Sequence, residues 1–391
     1  MLWAILLANL FKYPFFEFGS RYANATGQSI IDGYRKIGQI PFLLYILITL
    51  VSMFLVTAAV GFVTSGFMQQ LFGIESTLIA VIIVFAVCIL ILISNNFSLL
   101  DKLIKVIGIF LLISTLLAFI LVLLKGKQGS LPLNDTAVID YRAYLLFLIP
   151  LMGWMPTAVD LSAWNSLWTV ERIKESGYHP TLKETLFDFN LGYLLSALLA
   201  ICFVTLGAFI MFGTPQTFSN SPVGFSGEVI QLYTQTFGDW AYIIIAISAF
   251  SIMFGTCVAV FDGYSRAMAA IIRILKTSPQ QTSKTQQNHT IYRTVLLITA
   301  TGSFFLIYSF LEDLDGFKSL INLATSISFV LAPIVAIFNY LLVSKKYIPE
   351  SHLPPLWLRV LSILGILFLS LFSIYFIFQN SLINYFFPAS F

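Results

Sequence analysis

Charge is what this chain lacks. Asp, Glu, Lys and Arg make up 10% of its 391 residues, against roughly 25% in a soluble domain. A water-facing surface needs charge to stay dispersed, and a chain that is 58% hydrophobic with mean hydropathy +0.90 cannot supply one. A soluble enzyme and a disordered scaffold are thereby excluded. The net charge of +3 offers no basic field for nucleic acid. Histidine is scarce: His179, His289 and His352 all fall in polar connecting stretches. There is no HExxH, no GxSxG and no phosphate-binding Gly-rich loop with Lys, so no enzyme signature is present. An intramembrane hydrolase would need a nucleophile and a base on facing helices, and the histidines are not placed for it. Cys88, Cys202 and Cys257 lie inside apolar runs without CxxC spacing, which suggests neither a zinc site nor a disulfide framework. No cofactor is implied.

What is present is long apolar runs. About 20 apolar residues span the ~30 Å of a bilayer as a helix, whereas an open strand leaves its backbone groups unsatisfied in lipid and a β-barrel reads as short alternating segments. The runs fall at residues 1–18, 41–70, 77–95, 103–124, 144–168, 190–213, 240–270, 293–311, 319–343 and 356–378. They predict an all-α polytopic membrane protein of about ten transmembrane helices, forming a single membrane domain over 1–391.

Lys and Arg set the expected orientation. Sixteen of the 21 fall in odd-numbered loops, four (Lys125, Lys127, Arg142 and Lys318) in even-numbered ones, and Lys12 lies within the first span. The bias places the odd loops in the cytoplasm and the C-terminus outside a plasma or inner membrane. It also places Met1 outside, with no basic lead-in or cleavage site of a signal peptide before it. An additional first helix upstream is therefore expected. The connecting stretches are modest: 125–143 and 214–238 as external loops, and 276–292 as a polar segment of low complexity.

Polar groups inside apolar runs are expensive, at roughly 2.5–3.5 kcal/mol for a charge on insertion scales, and so point to function. The fifth run carries Pro150, Met152, Gly153, Trp154, Met155, Pro156, Thr157, Asp160, Ser162 and Asn165. Two prolines six residues apart break or kink a helix. A broken helix frees carbonyls near the midplane that can coordinate a cation, and the soft Met155 thioether favours transition metals. A Pro-kinked helix with Met as filler is the alternative. Elsewhere, Lys12 and Glu17 flank Pro14, either paired loosely across a kinked turn or snorkelling to the interface. Asp188 and Asn190 suggest the N-cap of the sixth run. Asp262 stands at i,i+4 spacing to Arg266. Thr325, Ser326, Ser328 and Pro333 give the ninth run hydroxyls and a kink, a pattern that also serves plain helix contacts.

The opening Leu6-Leu7-Ala8-Asn9-Leu10-Phe11-Lys12-Tyr13-Pro14-Phe15-Phe16-Glu17 and the following loop through Asp32 resemble the second helix of Nramp metal-ion transporters, in a divergent prokaryotic branch. The stretch Gly153-Trp154-Met155-Pro156-Thr157 resembles their broken sixth helix, and Val260-Phe261-Asp262-Gly263-Tyr264-Ser265-Arg266 the end of their eighth. The resemblance implies the LeuT-type inverted-repeat fold. The ten runs would be helices two to eleven: 1–124 the remainder of the first repeat, 144–343 the second, and 356–378 an extra C-terminal helix. It implies Met155 as a sulfur ligand and the Met152 carbonyl as a second ligand to a divalent metal ion. Gly153, Pro156, Thr157, Asp160 and Ser328 would line the pathway. The family's Met-Pro-His becomes Met155-Pro156-Thr157, so the histidine linked to proton handling does not carry over. The third-helix carboxylate of typical members has no counterpart in 41–70, and the first-helix Asp-Pro-Gly-Asn motif occurs nowhere in the chain.

The expected function is thus a secondary transporter of Mn²⁺- or Fe²⁺-like cations working by alternating access in a lipid bilayer, with a proton as the co-substrate the family would imply. The alternatives are a transporter of the same fold for an organic solute or another ion, favoured by Thr157 and the tryptophans, and a non-transporting remnant truncated at its N-terminus.

Overall fold

The computed structural model describes residues 2–94, 97–126, 141–210, 219–276, 289–313 and 315–379. Among these there is no strand. The helices are α1 (Leu2–Thr26), α2 (Ile30–Ile37), α3 (Gln39–Phe72), α4 (Thr77–Ser94), α5 (Phe97–Lys125), α6 (Tyr141–Gly153), α7 (Ser162–Ser176), α8 (Leu182–Ile210), α9 (Pro222–Phe237), α10 (Tyr242–Lys276), α11 (His289–Leu311), α12 (Gly316–Leu342) and α13 (Leu356–Gln379).

Among the described residues, eight helices are long and apolar enough to cross a membrane. Two expected spans fall short for physical reasons. In α1 the apolar run is interrupted by Lys12, Glu17 and Arg21. Helix α6 holds only 13 residues before it breaks, about 20 Å at 1.5 Å per residue.

Two helices organise the interior. The 34-residue α3, free of charge throughout, packs against α4, α9, α10, α11 and α12. Helix α1 packs against α7, α8, α12 and α13. The remaining faces suit lipid: on α8, Phe187, Leu191, Leu194 and Leu198 are exposed. Helix α3 ends where Gly73 turns left-handed at φ +65° and its N–H caps the Gln69 carbonyl at 2.9 Å. The cysteines are free and buried, as their apolar settings suggested.

Several expectations need correction. Asp188 and Asn190 do not cap the sixth run, because α8 begins earlier, at Leu182. Thr181 and Glu184 form the cap: the Thr181 N–H donates to Glu184 Oε2 at 2.8 Å, and the Glu184 N–H donates to Thr181 Oγ1 at 3.3 Å. Asn190 instead accepts from the Tyr13 hydroxyl at 2.8 Å. The stretch 214–238 is not simply a loop, since it contains α9. Ser221 caps that helix by accepting the Gly224 N–H at 3.1 Å, and Pro222 starts it. Residues 127–140 and 277–288, the larger parts of the expected connecting stretches 125–143 and 276–292, lie outside the described residues, as does the C-terminal end beyond 379.

Lys12 and Glu17 do not pair, nor do they snorkel. Five residues turn a helix by about 140°, so the two side chains leave opposite faces of α1. Glu17 meets Arg21, four residues on, in a buried bridge at 2.5 Å, and Arg21 also donates to the His352 carbonyl at 2.9 Å. Lys12 turns inward.

Candidate functional site

Helix α6 stops at Gly153, and helical geometry resumes only at the 3-10 turn Val159–Leu161 that leads into α7. Pro150 sits inside α6, whereas Pro156 in the gap lacks the amide hydrogen that would carry the ladder on. The one short bond in the gap joins the Met155 N–H to the Met152 carbonyl at 3.3 Å. The Met155–Pro156 peptide is cis. A Cβ on Gly153 would run into the Thr325 carbonyl of α12. The end of α6 therefore sits directly on the α12 backbone, and only glycine fits there.

The break leaves carbonyls at the negative end of the α6 dipole. Two of them, on Met152 and Gly153, converge with the Thr157 carbonyl from the gap on one point, and the Lys12 ammonium occupies it. Nζ donates to the Met152 carbonyl at 2.6 Å, the Gly153 carbonyl at 2.8 Å and the Thr157 carbonyl at 3.1 Å. A lysine ammonium has three donors and no acceptor, so its capacity is filled. The side chain is completely buried, and burying an ammonium requires this degree of compensation. With the Met155 N–H on it as well, the Met152 oxygen uses both of its lone pairs.

Asp160, on the 3-10 turn, is buried and within electrostatic reach of Lys12. Ser52 of α3 and the hydroxyls of Tyr34, Tyr45 and Tyr264 lie in the same neighbourhood. The buried Ser52 hydroxyl lies beside both the Asp160 carboxylate and the Tyr264 hydroxyl. Beside the break, the Trp154 indole N–H donates to Ser328 Oγ on α12 at 3.0 Å, and Ser328 donates to the Ala324 carbonyl at 2.8 Å. Met155 is half-buried against the apolar core.

Of the residues expected at the site, Met152, Gly153 and Thr157 meet around the Lys12 ammonium, and Asp160 lies within electrostatic reach of it. Pro156 makes the break, and Ser328 contacts it through Trp154. Two participants escaped sequence reasoning. Lys12 carried a signal, a lysine deep in an apolar run with no acid at i±3 or i±4. Asn339 of α12 carried none. Its amide nitrogen donates to the Phe15 carbonyl at 3.0 Å and to Ser162 Oγ at 2.8 Å, and its oxygen accepts from Tyr34 at 2.6 Å. It thereby ties α1, α2 and α7 to α12. Among the described residues no group of three or more His, Cys, Asp or Glu could hold a metal ion. Carbonyls, Asp160 and the Met155 sulfur are the donors the break can offer.

A second polar cluster lies on the face of the odd-numbered loops. Asp262 accepts from Arg266 at 2.8 Å, as the i,i+4 spacing predicted, and also from the Trp168 indole at 3.1 Å and the Tyr292 hydroxyl at 2.8 Å. Arg273 bridges to Asp32 at 2.7 Å. These contacts join α7, α10, α11 and α2. Gly263 leaves room for Trp164, which meets Tyr264 edge to face at 4.8 Å.

A model of the Nramp family, described as natural resistance-associated macrophage protein-like, matches residues 1–379. An uncharacterized protein of Pasteurella multocida (strain Pm70) is 32% identical over 383 residues, which covers 96% of this chain and 84% of the relative. A crystal structure of a glutamate-to-glutamine variant of the Eremococcus coleocola manganese transporter superposes with a TM-score of 0.65 at 14% identity, over 100% of this chain and 82% of that one. The same transporter in complex with an aromatic bis-isothiourea substituted compound gives 0.66 at 13% identity, over 100% of this chain and 82% of that one. These structures share the helical transporter fold.

Proposed function

The chain belongs to the Nramp family of multi-pass membrane transporters, and from that premise we propose that it moves a divalent metal cation of the Mn²⁺ or Fe²⁺ kind through the break after α6 by alternating access. One observation carries this reading: three backbone carbonyls of the break converge on a single buried point already filled by a positive charge. Such a point suits a cation. A metal there would draw on the carbonyls of Met152, Gly153 and Thr157, with the Met155 sulfur and the Asp160 carboxylate as further donors. Among the described residues, Asp160 is the one carboxylate within electrostatic reach of Lys12.

The division into repeats at 1–124 and 144–343, with 356–378 added, fits alternating access, because it sets the break of one repeat against Lys12 of the other. The excess of Lys and Arg in the odd loops supports a cytoplasmic position for the Asp262 cluster. Thr157 stands where the family's histidine would be, which argues against proton movement through that residue.

Uptake into proteoliposomes tests the reading. Saturable Mn²⁺ or Fe²⁺ entry that falls at least tenfold in Met155→Ala is expected. Lack of divalent selectivity, with Met155→Ala matching the parent, would sink it. A second reading, transport of an organic solute or another ion, is favoured by the charge of the site, where Lys12 offsets Asp160. A thermal-shift screen of metals against small organic ions separates the two.

A further inference from the structure

Lys12 stands apart from the other charges of α1. It is the one charged side chain of α1 that no side chain neutralises by direct contact: Glu17 and Arg21 satisfy each other, whereas Lys12 spends all three donors on backbone carbonyls. Those carbonyls belong to a segment 140 to 145 residues away along the chain. Nothing in α1 requires that contact for helix formation. Apolar packing would be satisfied by a methionine of similar length, and an apolar replacement for a buried charge is often neutral or stabilising when its partners are also satisfied. Here the partners are the carbonyls of a helix break, and only a cation satisfies them.

We infer that the Lys12 ammonium is a tethered cation that fills the substrate-cation position of the helix break, so that an external cation reaches the Met152, Gly153 and Thr157 carbonyls only when Lys12 withdraws. This rests on the reading of the break as the cation site. The donor count supports it. With Lys12 in place, its three N–H donors occupy the three carbonyls. With Lys12 withdrawn toward Asp160, those buried carbonyls lose their partner and attract another cation. The geometry also supports exclusion. Carbonyl ligands bind Ca²⁺ or smaller divalent ions at about 2.0–2.6 Å, and Nζ already lies 2.6 to 3.1 Å from the same oxygens, so both cannot be accommodated. Room for withdrawal is polar. The Ser52 and Tyr264 hydroxyls, buried on α3 and α10 near Asp160, would receive an ammonium that moved toward the carboxylate. Lys12 thus acts as a specificity device, setting how strongly a cation must bind before it enters.

The test uses the full chain in nanodiscs with two probes, Mn²⁺ and ethylammonium. Lys12→Met, which keeps the length and removes the charge, is expected to bind Mn²⁺ at least tenfold more tightly than the parent by calorimetry. In Lys12→Ala, ethylammonium restores the missing ammonium as a free ligand. It should raise the thermal midpoint and compete with Mn²⁺, so that the apparent Kd for Mn²⁺ rises in proportion to ethylammonium. If Lys12→Met does not fold, Lys12→Ala carries the test alone, since the ligand replaces what was removed. Ethylammonium binding to Lys12→Ala with Mn²⁺ bound by no variant would support the tethered cation and refute metal as substrate. Mn²⁺ bound equally by the parent and Lys12→Met would overturn the inference while leaving the transport reading intact. Ethylammonium that binds without competing with Mn²⁺, or fails to bind where Mn²⁺ also fails, would overturn it as well.

Discussion

The Tyr34 hydroxyl donates to the Asn339 side-chain oxygen at 2.6 Å, with both residues fully buried. Through Asn339 that bond links the short helix α2 to α1 and α7, since the amide nitrogen also holds the Phe15 carbonyl and the Ser162 hydroxyl. Asn339→Leu leaves the Tyr34 and Ser162 hydroxyls without a partner in an apolar interior, at about 1–3 kcal/mol for each, and takes a second donor from the Phe15 carbonyl. A clear fall in the thermal midpoint is expected, larger than the effect of about 1 kcal/mol for Tyr34→Phe, which removes one bond and leaves Asn339 two. Adding Tyr34→Phe to Asn339→Leu should cost little more, because the pair shares one bond. Differential scanning fluorimetry of the four proteins checks it, and strict additivity would contradict the network.

Gly153→Ala probes the contact between the break and α12. A Cβ at this position meets the Thr325 carbonyl, which is backbone and cannot rotate away. The end of α6 must then shift, and the Met152 and Gly153 carbonyls shift with it. Transport is expected to fall at least tenfold, since displacement of reacting groups by about 1 Å can cost about 100-fold. Helix content should stay unchanged by circular dichroism, as the change touches only the last residue of α6. Transport at the parental rate would show that the carbonyls do not define the path.

The contrast between Gly153 and Lys12 shows where sequence reading stops. The break was legible, because Pro150, Gly153 and Pro156 act on their own backbone and need no partner to be understood. The Asp262–Arg266 pair was legible for the same reason, being four residues apart on one helix. The Glu17–Arg21 pair has that spacing too, but it hid because the apolar run ends at residue 18 while the helix continues to Thr26. Helix α9 hid in a stretch rich in Gly, Ser and Pro, although Ser221-Pro222 is a helix start in its own right. The Lys12 contact is of another kind. Periodicity places Lys12 on a face of α1, but what that face meets depends on how distant helices pack, and no local rule supplies it. Asn339 is the extreme case, an amide in an apolar run whose three partners come from three other helices.

Asp262→Asn tests the cluster that joins α7, α10 and α11. The carboxylate accepts from Arg266, Trp168 and Tyr292, whereas an amide offers one oxygen and a competing donor. At least one partner is lost, and Arg266 loses a charge-assisted bond, worth about 1.5–3 kcal/mol. The thermal midpoint should fall, and Trp168 emission should move to longer wavelength as its indole N–H turns to water. Asp262→Glu should recover part of both. An unchanged emission spectrum in Asp262→Asn would mean the indole contact is not held by charge.

The start of α8 should respond to acid. Glu184 is exposed, and its carboxyl is held below the ordinary carboxylate value, chiefly by the Thr181 N–H, then by the Thr181 and Tyr178 hydroxyls. A group whose folded value is depressed stabilises the fold above its unfolded value, about 4.3 for Glu, and loses that contribution as pH falls through the folded value. The cap should therefore be intact at neutral pH and weaken progressively below roughly pH 4. Amide exchange of Thr185, whose N–H bonds the Thr181 carbonyl at 3.0 Å, reports it once corrected for the intrinsic pH dependence of exchange. Protection in the parent should drop on acidification. In Glu184→Gln it should start lower at neutral pH and vary little with acid, because the amide keeps an acceptor but carries no charge to lose. If the two proteins showed equal protection at every pH, the capping carboxylate would have no part in holding the first turn of α8.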